Sequence, residues 1–275
     1  MAQPVIKWAG GKTKLVPEIR KRLPSGITRM CWIEPFLGGG GAFFGVLPTA
    51  PRESLLADSN SDLINMYLQI REWPSQIISH LKELKEAHSK ERYYAERDVY
   101  NDRRDSSDVE RAARFIYLNK TCFNGLYRVN RAGKFNVPLG SYANPTIYTD
   151  EAIFRAADGL RSARLVTGEF HVTLQHAKGG DFVYLDPPYD GTFSAYDKGG
   201  FGENEHRMLA DVCRYLDQRG VKWLLSNSDT EMVRALYKDF AIDEIHSTTS
   251  VSADTMSRGK VQELMIRNYM ALAGI

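Results

Sequence analysis

The sequence predicts an α/β fold: a doubly wound, mostly parallel sheet with an inserted helical lobe that ends in a β-hairpin. Three observations predict it. Short apolar runs at residues 30–34, 54–58, 164–167, 182–185 and 222–226 are each bounded by turn signals or polar residues, as strands buried on both faces of a sheet are. Between residue 58 and about residue 165 the alternation of strand and helix stops and helical spacing takes over. The chain has 275 residues, 43% hydrophobic and 25% charged, enough for one large core or one core with an insertion. The expected division is residues 1–58 and 160–275 for the sheet domain and 59–159 for the lobe.

Composition excludes several classes. The three cysteines, Cys31, Cys122 and Cys213, are scattered without a CxxC pair, and the six histidines show no ligand spacing. This points to a reduced, cytoplasmic compartment without structural disulfides or metal. No apolar leader opens the chain, and no run approaches the ~18 apolar residues a membrane span needs. The net charge of +2 hides an asymmetry, because residues 111–149 hold six basic side chains (Arg111, Arg114, Lys120, Arg128, Arg131, Lys134) and no acid. With Phe123, Tyr127, Phe135 and Tyr142 interleaved, this stretch reads as a surface for phosphates and bases.

Taken in order, the chain opens with Val5-Ile6-Lys7-Trp8-Ala9-Gly10-Gly11-Lys12-Thr13. The run is a glycine turn before a helix that Thr13 is expected to cap and that ends near Pro24. It is not a P-loop, since Ile6 stands where that motif requires glycine. Strand 30–34 ends in Glu34 and leads into Pro35-Phe36-Leu37-Gly38-Gly39-Gly40-Gly41, where backbone can approach a ligand closely. Strand 54–58 ends in Asp58, about 20 residues beyond the glycines, where nucleotide folds place the acid that holds ribose hydroxyls. A dinucleotide fingerprint is absent, because the G-x-G-x-x-G pattern breaks at Phe43.

From Asn60 the spacing is helical. Leu63, Met66, Tyr67 and Ile70 share a face, as do Ile77, Leu81 and Leu84, and Ser107 with Glu110 makes a capping box before Ala112, Phe115 and Ile116. Two short strands around Gly133 then suggest a hairpin. Strand alternation sets Leu126, Arg128 and Asn130 on one face, and Arg and Asn are the side chains that read guanine and adenine bidentately. Strand 164–167 is followed by Gly168-Glu169-Phe170, placed to lie over an adenine ring. Further on come a helix bearing Leu209, Val212, Cys213 and Leu216, strand 222–226, a helix over 231–239, and closing strands near 241–247 and 261–269. Residues 191–202, with four glycines, suggest a mobile loop over the site.

The most informative turn is Asp186-Pro187-Pro188-Tyr189, directly after the apolar run 182–185. Two consecutive prolines remove two backbone donors and hold the turn extended. Ionised Asp186 accepts hydrogen bonds and donates none, so with the Pro187 carbonyl it forms a pair of acceptors for a group with two N–H donors. That group is an exocyclic amine. Accepting both protons draws the amine out of conjugation and leaves its lone pair free to attack, while the Tyr189 ring is expected to be exposed and to stack on the amine-bearing ring.

Together these residues resemble the Dam-type DNA adenine N6 methyltransferases, over nearly the whole chain and in the family's own order. Lys7-Trp8-Ala9-Gly10-Gly11-Lys12 is similar to the family's N-terminal cofactor motif, and Glu34-Pro35-Phe36-Leu37-Gly38-Gly39-Gly40-Gly41 to its glycine loop. Asp186-Pro187-Pro188-Tyr189 is similar to its catalytic tetrapeptide. Asn124-Gly125-Leu126-Tyr127-Arg128-Val129-Asn130 with Phe135-Asn136-Val137-Pro138-Leu139-Gly140 is similar to its target-recognition hairpin.

The resemblance implies a Rossmann-like methyltransferase sheet, S-adenosylmethionine as cofactor with S-adenosylhomocysteine as product, and methylation of a flipped adenine in duplex DNA at GATC without metal. It implies Asp186, Pro187, Pro188 and Tyr189 as the catalytic set. Around the cofactor it implies Trp8, Ala9, Gly10, Lys12, Glu34, Phe36, Gly38, Gly40, Asp58, Phe170 and Asp186. On DNA it implies Lys120, Phe123, Asn124, Leu126, Arg128, Asn130, Pro138 and Tyr142. Ser141 stands where the family's GATC members often carry a basic residue. A monomer associated with the nucleoid is expected, and a cognate restriction endonuclease is compatible with the resemblance. Two other readings stay open at this point: a methyltransferase of RNA or protein, which would not need Arg128 and Asn130, and a silent nucleic-acid-binding module, which would not need the glycines and acceptors.

Overall fold

The computed structural model describes residues 3–47, 53–102, 106–190, 201–247 and 261–270. A 3₁₀ turn over Lys12–Leu15 leads into α1 (Val16–Lys21), with Pro17 in its first turn. The expected cap at Thr13 is not found. Pro17 has no N–H to lose, and its fixed φ suits a helix start, so the regular helix begins later than the cap residue implies. Then come β1 (Cys31–Glu34), α2 (Gly41–Val46) and β2 (Glu53–Asp58).

The lobe holds α3 (Ser61–Glu72), α4 (Pro74–Glu86), α5 (Lys90–Asp102), α6 (Asp108–Thr121) and α7 (Asp150–Leu160). The Asn60 side chain caps α3 by accepting from the N–H groups of Asp62 and Leu63, and Pro74 opens α4. The Ser107–Glu110 capping box forms as the sequence predicts. Helix α7, which the sequence reading did not delimit, lies against α3 and α4. After the lobe follow β3 (Ala163–Thr167), α8 (Phe170–Leu174), β4 (Phe182–Leu185), α9 (Glu203–Gln218), β5 (Lys222–Ser228), α10 (Glu231–Leu236), β6 (Ala241–Ser247) and β7 (Val261–Arg267). The loop suspected of mobility lies mostly outside the described residues, from 191 to 200.

The seven strands form one mixed, mostly parallel sheet in the order β3-β2-β1-β4-β5-β7-β6. Five are parallel, and β7 runs antiparallel between β5 and β6. The direction of strand addition reverses between β1 and β4, which is the crevice where doubly wound sheets bind ligands at their carboxyl ends. The glycine loop leaves β1 there and the Asp186 turn leaves β4. The sheet is Rossmann-like, as the sequence predicts.

Strand alternation divides the core. Trp32, Leu56, Phe182, Tyr184, Leu224 and Met265 face the lobe helices. Ile33, Leu55, Val183, Leu185, Trp223, Leu225 and Ile266 face the side covered by α8, α9 and α10. The first cluster runs without interruption from the sheet through Tyr67, Leu81 and Tyr93 to Phe115 and Phe135.

The expected hairpin is present in loose form. Its arms carry two isolated antiparallel bridges, Val129 to Phe135 and Cys122 to Leu139, with hydrogen bonds from Asn130 N to Lys134 O at 2.8 Å and Asn136 N to Arg128 O at 3.1 Å. Regular strands do not form, because Asn124 at φ 54 and Gly125 at φ 65 break the first arm and Pro138 supplies no N–H for the second.

A close contact between α1 and α2 gives a test of packing. A Cβ on Gly45 would overlap the Val16 methyl groups. Alanine in a helix interior gains about 1 kcal/mol over glycine, but overpacking costs roughly 1 to 3 kcal/mol. Gly45→Ala is therefore expected to lower the melting temperature, and adding Val16→Ala to the same chain to recover part of the loss, both measured by thermal unfolding.

Candidate functional site

The site begins where β4 ends. Asp186 Oδ1 takes a hydrogen bond from Ser226 Oγ at 2.9 Å and an ion pair from Lys12 Nζ at 3.0 Å. Their side chains are 17% and 9% exposed for Asp186 and Lys12, so this is an ion pair largely withdrawn from water. Parallel pairing of Leu185 with Leu225 sets Ser226 beside Asp186, and Tyr184 completes the row through its hydroxyl at 3.1 Å from Ser226 Oγ. Burial raises the Asp186 carboxyl above its ordinary value, and Lys12 and Ser226 only partly oppose that. Asp186 Oδ2 has no partner among the described residues.

Lys12 also donates to the Gly10 carbonyl at 2.7 Å and sits 4.3 Å from the centre of the Tyr189 ring. The sequence reading set Lys12 on a ligand and Tyr189 as an exposed ring. The structure instead ties Lys12 to Asp186, and half-buries Tyr189 with its hydroxyl donating to Glu263 Oε2 at 2.7 Å. The cause is β7, whose antiparallel pairing with β5 brings a carboxylate to the β4 turn. Of the two prolines, Pro187 is buried and Pro188 exposed.

Next to this turn the glycine loop is pinned from three directions. Gly38 N donates to Asp58 Oδ2 at 2.9 Å, Tyr67 donates to Gly38 O at 3.0 Å, and Trp8 lies so close that a Cβ on Gly38 would come 2.8 Å from its ring. With φ +48 as well, position 38 admits only glycine without strain. Asp58 Oδ1 accepts from Asn60 N at 2.9 Å, so one oxygen holds the glycine loop and the other the start of α3, and each retains a lone pair for a ligand. Burial pushes the Asp58 carboxyl up, against these two N–H bonds.

Pro35, Phe36, Asp58, Ser59, Gly168, Glu169 and Phe170 line a cleft over the carboxyl ends of β1, β2 and β3. Phe36 stacks on Phe170 at 5.4 Å, and Phe201 meets both. Phe170 is buried in the second core cluster, so it forms the floor of the cleft. Glu34 is fully inside, taking a hydrogen bond from the Trp32 indole at 2.9 Å, and burial drives its carboxyl well above the ordinary value. Gly40 caps α2 with a left-handed backbone. Ala9 and Gly10 remain exposed, near the site only through the Lys12 bond to Gly10.

The N-terminal segment is strapped to the lobe. Asn119 accepts from Lys7 N and donates to Lys7 O, each at 2.8 Å, and also donates to Gly125 O at 3.0 Å. Trp8 stacks on Tyr127 at 5.6 Å. Lys7 Nζ meets the Tyr142 hydroxyl at 3.0 Å.

The hairpin residues divide. Phe123, Asn124 and Pro138 are exposed. Arg128 donates through Nε to Asn136 Oδ1 at 2.8 Å, and its two Nη groups have no partner among the described residues. Leu126 packs against the core. Asn130 Oδ1 accepts from Ala132 N at 2.9 Å and Lys134 N at 3.1 Å, because a side chain at the head of a turn satisfies that turn first. Asn130 Oδ1, the carbonyl oxygen that the expected adenine contact needs, is engaged there, whereas Arg128 keeps its terminal donors without a partner among the described residues. The basic stretch is also smaller than its sequence count, since Arg111 pairs with Asp62 and Arg114 with Glu96 inside the lobe. Lys120 is half-buried, and burial with the neighbouring Lys7 lowers its pKa. Arg131 and Lys134 are exposed.

Sequence reasoning missed Ser226, Glu263 and Ser59, and it placed Lys7 in the N-terminal motif without its bond to Tyr142. Ser226 and Glu263 are polar positions directly beside the apolar runs Trp223-Leu224-Leu225 and Leu264-Met265-Ile266, a signal that marks them without saying what they face. Among the described residues no helix is long and apolar enough to cross a membrane.

The family model for D12 class N6 adenine-specific DNA methyltransferases matches residues 8–251. The chain belongs to this family. It is 40% identical to the type II methyltransferase M1.LlaDCHI of Lactococcus lactis subsp. cremoris, over 97% of this chain and 95% of that protein. It is 35% identical to M.MjaIII of Methanocaldococcus jannaschii, over 97% and 99%, and 33% identical to the DNA adenine methylase of Escherichia coli K12, over 94% and 93%. Two of these relatives are named type II methyltransferases and one a DNA adenine methylase, and all three are matched along nearly their whole length.

The buried acid in this family member gives a stability test. Glu34 takes up a proton on folding, so it favours the folded state below the ordinary glutamate range and disfavours it progressively as pH rises toward its folded pKa. Glu34→Gln keeps an acceptor for Trp32 and removes the titration. Its melting temperature is expected to exceed that of the wild type at neutral pH, with the gap closing toward pH about 4, near the unperturbed glutamate value.

Proposed function

We propose that this chain methylates the N6 amino group of an adenine in duplex DNA, at GATC, with S-adenosylmethionine as donor and the adenine extruded from the helix. The observation that carries the reading is Asp186: a carboxylate at the switch point, held on one oxygen by Lys12 and Ser226, its other oxygen without a partner among the described residues. We assign the sheet domain to catalysis and the insertion at 59–159 to target recognition.

The residues fit the cofactor. The cleft from Pro35 to Phe170 offers an aromatic wall and the acids Asp58 and Glu169 for a nucleoside, and the Gly38 backbone stands where a side chain has no room. Trp8, Ala9, Gly10, Lys12, Glu34, Phe36, Gly38, Gly40, Asp58, Phe170 and Asp186 are proposed to surround it, with Glu34 and Lys12 acting from behind the surface. When bound, S-adenosylmethionine supplies an electrophilic methyl group on a sulfonium.

The chain's own part is to make a weak nucleophile competent. The adenine amine donates one proton to Asp186 Oδ2 and one to the Pro187 carbonyl, which takes the nitrogen lone pair out of the ring system. Transfer would form the N–C bond as the methyl group's bond to sulfur breaks, leaving the thioether product. The positive charge that then develops on the amine lies beside the carboxylate, which stabilises it. The raised proton affinity of Asp186 suits it to accept the proton the amine then sheds. Tyr189 stacks on the extruded base, whose removal from the helix costs a few kcal/mol. No side-chain nucleophile is required.

On the DNA, Arg128 is proposed to read guanine through its terminal nitrogens, with Phe123, Asn124, Leu126 and Pro138 shaping the hairpin surface. Lys120, Asn130 and Tyr142 serve the backbone or hold neighbours in place.

Two experiments test these roles. Transfer of labelled methyl groups from S-adenosylmethionine to duplex DNA, single-stranded DNA, RNA and protein should label duplex DNA by far the most, and Asp186→Ala should lose nearly all turnover while still binding DNA. Equal labelling of RNA or protein, or turnover retained by the mutant, would contradict the assignment. Arg128→Ala should cost about 1 to 3 kcal/mol on GATC and relax the choice at one guanine. A uniform loss on all sequences, with the salt dependence shallower by about one unit, would instead place Arg128 on a phosphate.

A further inference from the structure

The geometry points to Glu263 as a positioning residue that acts through Tyr189, fixing the ring against which the extruded base stacks. The inference rests on the reading of Tyr189 given above.

Glu263 lies on β7, opposite Ser228 of β5, and is only 7% exposed. Its neighbours in the strand, Leu264, Met265 and Ile266, are wholly buried apolar residues. A carboxylate at such a position costs solvation unless a donor meets it. Tyr189 supplies one: its hydroxyl is 2.7 Å from Glu263 Oε2, the length of a hydrogen bond to a charged acceptor.

The bond decides where the ring stands. A tyrosine side chain has two free torsions, and a turn of two prolines leaves its direction open. Anchoring the hydroxyl at β7 fixes both. Lys12 Nζ then covers one face of the ring at 4.3 Å, and the proposed stacking partner is assigned to the opposite face. Lys12 also holds Asp186 Oδ1, so the stacking ring and the acceptor carboxylate share one anchor, Lys12, while Glu263 holds the ring and Ser226 the carboxylate. Positioning at this level has kinetic weight, because small displacements of a stacked reactant from its acceptor slow transfer strongly.

The two groups should behave as one unit. Glu263→Gln keeps the side-chain shape and weakens the acceptor, while Tyr189→Phe keeps the ring and removes the donor. Each is expected to lower kcat on duplex DNA roughly tenfold, the effect of losing one charge-assisted hydrogen bond, with Kd for DNA unchanged. The double variant should be no slower than the slower single one. With 2-aminopurine at the target adenine, both single variants should give the same altered fluorescence on binding DNA, as the double variant does.

Losses that multiply in the double variant, or a Glu263→Gln enzyme with wild-type kcat, would overturn the inference while leaving the methyltransferase reading intact. An inactive wild type would overturn both. If Glu263→Gln fails to fold, Tyr189→Phe alone decides: wild-type kcat and wild-type fluorescence in that variant would remove any role for the bond.

Discussion

The ion pair between Lys12 and Asp186 is the contact on which the arrangement of the site depends. It joins the loop near the N-terminus to the end of the central strand β4 across a gap of more than 170 residues of sequence. Both groups are mostly withdrawn from water, and an isolated buried charge of either sign would be expensive. Each therefore requires the other, and Ser226 takes up a further lone pair. The carboxylate left by this arrangement is crowded on one oxygen and open on the other, an asymmetry suited to receiving a donor from one direction. Lys12 in turn spans Gly10, Asp186 and the Tyr189 ring, so a single ammonium group coordinates the loop, the acceptor and the aromatic wall.

Much of the fold was legible in the sequence. Buried parallel strands such as Phe182–Leu185 have no polar face to confuse them, and the capping box at Ser107 marks a helix start by chemistry alone. The switch-point location of the glycine loop and the Asp186 turn also followed, because parallel connections constrain topology strongly. What failed was local competition. Pro17 displaced the start of α1 from Thr13, and the Asn124 and Gly125 backbone replaced the regular strand that alternation at Leu126 to Asn130 suggested.

The site was legible by residue type and less so by partner. Asp186, Asp58 and the glycines were identifiable because their chemistry is stated by their neighbours in the chain. Glu263 and Ser226 were not, since their meaning comes from strand register, the parallel register of β4 with β5 for Ser226 and that of an antiparallel strand inserted between two others for Glu263, and a sequence prints neither. Charge counting misled in the same way. Arg111 and Arg114 look available in a segment without acids, yet Asp62 and Glu96 reach them from earlier helices. A local charge tally ignores partners distant in sequence, and helical lobes supply such partners readily.

The core shared by sheet and lobe extends into the hairpin, where Phe135 and Val137 are buried in it. Gly140 N bonds to Thr121 O at 2.9 Å and Cys122 bridges to Leu139, which closes the base of the hairpin, and Asn101 of α5 bonds to both the N and the O of Phe135 further out. The lobe as a whole is woven into the packing that supports the sheet and resists transplantation. Only the exposed turn at 130–134, beyond the Val129 to Phe135 bridge, is held by hydrogen bonds of its own, which makes it the natural unit of exchange: evolution, or an engineer, can trade that turn for another while the framework beneath keeps its fold.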